Sequence, residues 1–159
     1  MEISNRAQSM PHSPIRKLAK YAEAAHRNGI HIYSLNIGQP DIQTPDCAKD
    51  AIAHFHKDIL DYLPSQGVLS LRAKMVGYYA EYGIDISPDE IIITSGGSEA
   101  IMFAYMACLN PGDEIIVTDP SYANYMAFAI SCGAVVKSVK TDIENGFRLP
   151  SVEEFENQI

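Results

Sequence analysis

The chain reads as an α/β protein built around a parallel sheet, and three observations carry that prediction. From residue 90 onward, short β-branched apolar runs alternate with helical patterns, the arrangement of strand–helix–strand units. Strong turn signals, Asn110-Pro111-Gly112-Asp113 and Gly133, separate those runs. At 159 residues, 47% hydrophobic and 20% charged, the chain suffices for one ordinary domain with a real core.

The elements follow in order. Residues 1–13 are polar and carry Pro11. Ser13-Pro14 opens a helix with proline at its first position. Ile15, Leu18, Ala22 and Ala25 recur at helical spacing, and Gly29 is placed to end it. His31–Asn36 is strand-like and runs into the turn Ile37-Gly38-Gln39-Pro40-Asp41. Pro45-Asp46 starts a second helix with Ala48, Ile52, Phe55 and Ile59 on one face, and 61–67 is a break containing Pro64 and Gly67. A third helix buries Val68, Leu71, Met75, Tyr79 and Tyr82 and ends at Gly83. After Ser87-Pro88 comes a strand, Glu90–Thr94.

The next helix is apolar nearly all round, which predicts burial on most sides. Glu114–Thr118 is a strand ending at Asp119-Pro120-Ser121-Tyr122. Tyr125, Phe128, Ala129 and Cys132 mark a helix closed by Gly133, Ala134–Val139 is a further strand, and Ser151–Ile159 reads as the start of a helix.

The junction Ile91-Ile-Ile-Thr-Ser95-Gly96-Gly97-Ser98-Glu-Ala100 carries the most chemistry. Two glycines allow a sharp turn and close backbone approach to a ligand, and the first helical N–H groups lack intrahelical partners. The helix dipole adds partial positive charge, so a phosphate is the natural guest, with Ser95 and Ser98 as extra donors. The spacing is neither Gly-x-Gly-x-x-Gly nor the P-loop's, and on local pattern alone such a junction is more often just a tight connection.

Composition removes several function classes. Twelve basic against twenty acidic side chains give −8, with no local Lys/Arg cluster, so nucleic acid and anionic membrane are poor partners. Cys47, Cys108 and Cys132 lack Cys-x-x-Cys spacing. Neither a disulfide framework nor a zinc site is expected, and Cys108 and Cys132 read as small core residues. The five histidines lack metal spacing, and His54 and His56 read as surface residues. The longest apolar stretch, 100–109, is far short of the roughly 20 residues that span a bilayer, and no secretory signal opens the chain, so a cytoplasmic location is expected.

Four segments line up in order: Asn36-Ile-Gly38-Gln-Pro40-Asp41-Ile-Gln-Thr44-Pro45, Tyr62-x4-Gly67-x3-Leu71-Arg72, Thr94-Ser-Gly-Gly-Ser-Glu-Ala100, and Asn110-Pro-Gly-Asp-Glu-Ile-Ile-Val117 running on to Asp119-Pro-Ser-Tyr122. Together they closely resemble the N-terminal part of the class I/II aminotransferases, pyridoxal-phosphate enzymes of the aspartate aminotransferase fold (fold type I). The resemblance covers essentially the whole chain.

It implies a partial three-layer α/β/α large domain with a mostly parallel sheet. Residues 1–45 would form an N-terminal arm and small-domain segment, and 46–159 the N-terminal part of the large cofactor-binding domain. It also implies roles. Gly96, Gly97 and Ser98 hold the cofactor phosphate, and Tyr122 stacks on the pyridine ring. Gly38 borders the substrate carboxylate, and Tyr62 reaches the phosphate of the neighbouring subunit, which makes the active unit a homodimer. Taken residue by residue without the family, Gly38 is equally a turn glycine, Tyr62 and Tyr122 read first as an exposed loop tyrosine and a packing aromatic, and Ser98 reads as a helix cap.

In such enzymes the Schiff-base lysine, the acid beside the pyridinium nitrogen and the arginine for the substrate carboxylate lie beyond the part matched here. None of the seven lysines (17, 20, 49, 57, 74, 137 and 140) has the required context. No catalytic residue is therefore expected in this chain. It is expected to be the N-terminal part of a longer enzyme, inactive alone, whose parent transfers an amino group between an L-amino acid and a 2-oxo acid. Strand Glu90–Thr94 is expected to lack its sheet neighbours. The competing readings are a carbon–sulfur lyase on the same scaffold, a non-enzymatic ligand-binding module of that fold, and an unrelated nucleotide-binding α/β module.

Overall fold

The computed structural model describes residues 2–13 and 15–159, so the expected helix-initiating Pro14 lies outside the described residues. The chain divides into two units, one formed by 1–36 together with 95–159 and the other by 37–94.

The first unit is a strand–helix–strand core with helices around it. Strand β1 (Glu114–Asp119) pairs in parallel with β2 (Val135–Lys140), in register from Glu114 opposite Val135 to Asp119 opposite Lys140. Parallel neighbours need a crossover, and α6 (Ala123–Cys132) supplies it, packing on β2 and on α5 (Gly97–Cys108). Ala129 on α6 is completely buried, and Ala134 and Val139 join it. Helix α6 ends at Gly133, whose φ of +81° puts it in the left-handed region, while the Ala134 amide bonds back to the Ala129 carbonyl at 2.9 Å. A Cβ at Gly133 would lie 3.2 Å from that of Pro111, so the turn before β1 and the turn before β2 interlock there. The Gly112 amide donates to the Gly133 carbonyl and that of Val135 to Asp113, both at 2.8 Å.

Helix α1 (Asn5–Ser9), which the polar N-terminus did not predict, is capped by the Ser4 side chain. It is tied to the end of α6 by Arg6, whose Nη1 donates to the Ser131 carbonyl at 3.0 Å. Helix α2 (Ala19–Arg27) begins later than its apolar spacing implied, after turns anchored on the Ser13 carbonyl, and closes at Gly29 as expected. The short α7 (Val152–Glu156) carries a reciprocal Ser151–Glu154 capping box.

The second unit holds α3 (Asp46–Ala53) and α4 (Leu69–Ala80), the latter packed on a 3₁₀ turn at Pro88–Glu90. Its buried side chains are Arg72 and Ile91.

Several expectations need correction. His31–Asn36 and Glu90–Thr94 are not strands: Leu35 and Asn36 lie in a turn, Glu90 ends the 3₁₀ turn at Pro88–Glu90, and the stretch after it finds no strand partner, the Ile93 amide bonding instead to the Gln66 carbonyl. Val68, Leu71 and Tyr82 are exposed, as are Phe103 and Met106 on the apolar α5, so these faces are not covered by the described residues. Cys108 is exposed and Cys132 only half-buried, its Sγ lying 3.7 Å from the Met102 sulfur. His54 and His56 are exposed, as read from the sequence.

Candidate functional site

The Gly-Gly junction has the local geometry its sequence requires. Gly96 is the N-cap of α5 with φ +147° and ψ 173°, a region that side chains other than hydrogen disfavour. Ideal Cβ atoms placed on Gly96 and Gly97 would meet nothing within 4 Å, so the backbone there faces open space. The amides of Glu99 and Ala100 already bond to the Gly96 carbonyl, at 3.1 and 3.2 Å. Those of Gly97 and Ser98 head the helix, where no intrahelical acceptor exists. Two amides and the positive end of a 12-residue helix dipole therefore meet at one exposed turn, and Ser98 is exposed in the same turn.

One partner there was missed from the sequence. The Glu99 carboxylate folds back and accepts the Ser95 amide at 2.6 Å. An acid in the first turn is the signal that could have shown it.

Tyr122 is the N-cap residue of α6, just past the C-terminal end of β1 and a cis Asp119–Pro120 bond. It is 46% exposed, and its hydroxyl accepts from Asn124 Nδ2 at 2.7 Å. Its ring meets that of Tyr125 edge-on, with centroids 5.5 Å apart at 86°. A T-shaped contact of this kind fixes the ring plane while leaving a face open. On α5, burial raises the Tyr105 hydroxyl above its usual pKa, with neighbouring Tyr125 and Cys132 pushing in the same direction.

Gly96, Gly97, Ser98 and Tyr122 thus belong to the first unit, each at the N-terminal end of a helix, and these two helices pack together. Gly38 and Tyr62 belong to the second unit. Gly38 lies in an open loop with nothing within 4 Å of a would-be Cβ, and Tyr62 is fully exposed. No group of three or more His, Cys, Asp or Glu able to hold a metal occurs among the described residues, and no helix there is long and apolar enough to cross a membrane.

Residues 30–159 match the family model described as Aminotransferase class I and II. The chain is 35% identical over 158 residues to an aspartate aminotransferase of Thermotoga maritima, a match covering 97% of this chain and 41% of that protein. It is 33% identical over 147 residues to an aspartate/prephenate aminotransferase of Thermus thermophilus, covering 91% and 38%. Among solved structures, the Thermotoga maritima aspartate aminotransferase superposes with a TM-score of 0.86 at 34% identity, over 99% of this chain and 42% of that one. An alanine aminotransferase from Pyrococcus furiosus gives 0.86 at 31% identity, over 99% and 41%. The chain spans about two fifths of the length of these relatives. The α/β fold read from the sequence is thus part of a fold these enzymes share.

Proposed function

This chain belongs to the class I and II aminotransferases, and from that premise we propose that it forms the N-terminal part of the cofactor site of a pyridoxal-phosphate enzyme. The parent enzyme moves an amino group between an L-amino acid and a 2-oxo acid. The observation that carries this reading is the open Gly96–Gly97 turn at the head of α5, where the first helical amides lack intrahelical acceptors and Ser98 is exposed. That donor set suits a phosphate dianion.

When bound, pyridoxal phosphate supplies an electron sink for bond breaking at the substrate's α-carbon. The residues of this chain hold and orient. Gly97 and Ser98 donate to the phosphate, and Tyr122 offers a ring face, fixed by Tyr125 and Asn124, as a nonpolar wall. Gly38 lends backbone to the substrate carboxylate, and Tyr62 serves the phosphate of a second subunit in a homodimer. Residues 1–45 then belong to the arm and small domain, and 46–159 to the large domain. No residue of this chain takes the catalytic lysine's part, so the chain alone does not transaminate. The names of the relatives favour aspartate as amino donor.

The test is a titration of the ¹⁵N-labelled chain with pyridoxal phosphate, pyridoxal and a nucleoside triphosphate. The phosphate ester should move the Gly97 and Ser98 amide resonances, and pyridoxal, which lacks the phosphate, should not. Movement with the nucleotide alone would overturn the cofactor assignment. For the parent enzyme, a new amino acid and a 2-oxo acid as products mean transfer, whereas ammonia and pyruvate mean the lyase.

A further inference from the structure

Arg72 is the one buried charged side chain among the described residues, 5% exposed on α4 while its apolar neighbour Leu71 is exposed. Burying a guanidinium costs free energy unless its N–H groups are satisfied. Here they are satisfied mainly by backbone. Nε donates to the Gly67 carbonyl at 3.3 Å and Nη1 to the Pro88 carbonyl. The nearest acid, Asp89, is 3.5 Å away with its side chain 91% exposed, a geometry in which an ion pair contributes little. Arg72 is therefore held for the shape of its fork more than for its charge.

The carbonyls it joins belong to two different segments. Gly67 ends the break at 61–67, and Pro88 opens the turn leading to Ile91–Thr94. The same junction is closed from a second side. The Ile93 amide donates to the Gln66 carbonyl at 3.0 Å, and the Ile93 side chain sits so close to Gly67 (φ +92°) that a Cβ there would lie 2.5 Å from it. The Gly67 amide in turn closes on the Pro64 carbonyl at 2.8 Å. Upstream of Pro64, the hold on the segment is an exposed Lys57–Asp61 pair at 2.8 Å. The placement of Tyr62 is thus set from the Gln66–Gly67 end.

The geometry points to Arg72 as a positioning residue that locks the Gln66–Gly67 backbone against the 88–93 segment and so fixes where Tyr62 is presented. Its importance for the cofactor rests on the role given to Tyr62 above, but the lock itself does not. Lysine cannot replace it, because one ammonium does not reproduce a planar two-pronged donor.

The chain contains no tryptophan, so Tyr62→Trp installs a single fluorescent reporter at this position. In that background, Arg72→Lys, Arg72→Met and Asp89→Asn are compared by amide hydrogen exchange and by tryptophan anisotropy, with no cofactor present. Both Arg72 variants should speed exchange at the Ile93 amide about tenfold, the scale of one lost charge-assisted hydrogen bond, and lower the anisotropy. Asp89→Asn should leave both within twofold, and the Val135 amide beside the parallel ladder should not change. Gly67→Ala attacks the same junction from the other side and should reproduce the Arg72 pattern, as should Arg72→Lys if Arg72→Met does not fold. Wild-type behaviour of Arg72→Lys would overturn the proposal, and so would equal acceleration at Ile93 and Val135. Failure of pyridoxal phosphate to bind leaves this result intact, so the two readings fail separately.

Discussion

The two units are held together by different means. In the first, β1, α6 and β2 repeat one bargain: apolar side chains alternate or recur at fixed spacing, turns tie the segments, and Ala129 disappears between them. In the second, no strand pairs with another, and a guanidinium gathers the carbonyls of two loops around α4. Stability in the first unit is spread over many small contacts. In the second it is concentrated at one junction, so a single substitution there should have a larger and more local effect.

Substituting Gly67 should break the contrast most sharply. Gly67→Ala forces a side chain into a positive-φ position and against Ile93, which should cost on the order of 3 kcal/mol. Exchange should rise across 61–94 while the β1–β2 ladder keeps its protection, and equal loss in both units would remove the distinction. Next comes Ala129→Leu in the first unit, which overfills a fully buried site and should cost about 2 kcal/mol. There the damage should spread through α5, α6 and β2, as read by exchange along all three. An intact α5 would show that its contact with α6 carries little.

The smallest effect is acid. Glu90 in one unit and Glu154 in the other are each held below the usual carboxylate range by the amide and hydroxyl of the serine three residues earlier. Their folded pKa lies under the unfolded value, so the stabilisation is full above about pH 4.5 and fades as pH falls through the depressed folded value. Both groups are exposed. Melting temperature should therefore dip only slightly below pH 4.5, and Glu90→Gln with Glu154→Gln should remove that part of the dip.

The first unit was the more legible one for the same reason. Strands 114–118 and 134–139 were read within a residue of β1 and β2, because apolar runs, a crossover helix and turn residues all agreed. Strands at 31–36 and 90–94 were overread, since composition proposes an extended segment but only a partner makes it a strand. Helix α1 was invisible because it buries nothing and rests on a serine cap. In the candidate site the glycines announced themselves through the turn they permit. The inward roles of Glu99 beside them and of Arg72 in the other unit did not, because helical periodicity assigns charged residues to solvent by default. One folds back on an amide and the other turns inward toward carbonyls.

The bond from Arg6 to the Ser131 carbonyl joins residues 125 positions apart. A ribosome adding roughly 5–20 residues per second releases α1 long before its acceptor exists. Helix α1 is therefore made well before it can dock, and for roughly ten seconds of synthesis its arginine has no native partner. Arg6→Ala would leave the steps before Ser131 is made untouched and act only on the docking of α1 to the end of α6.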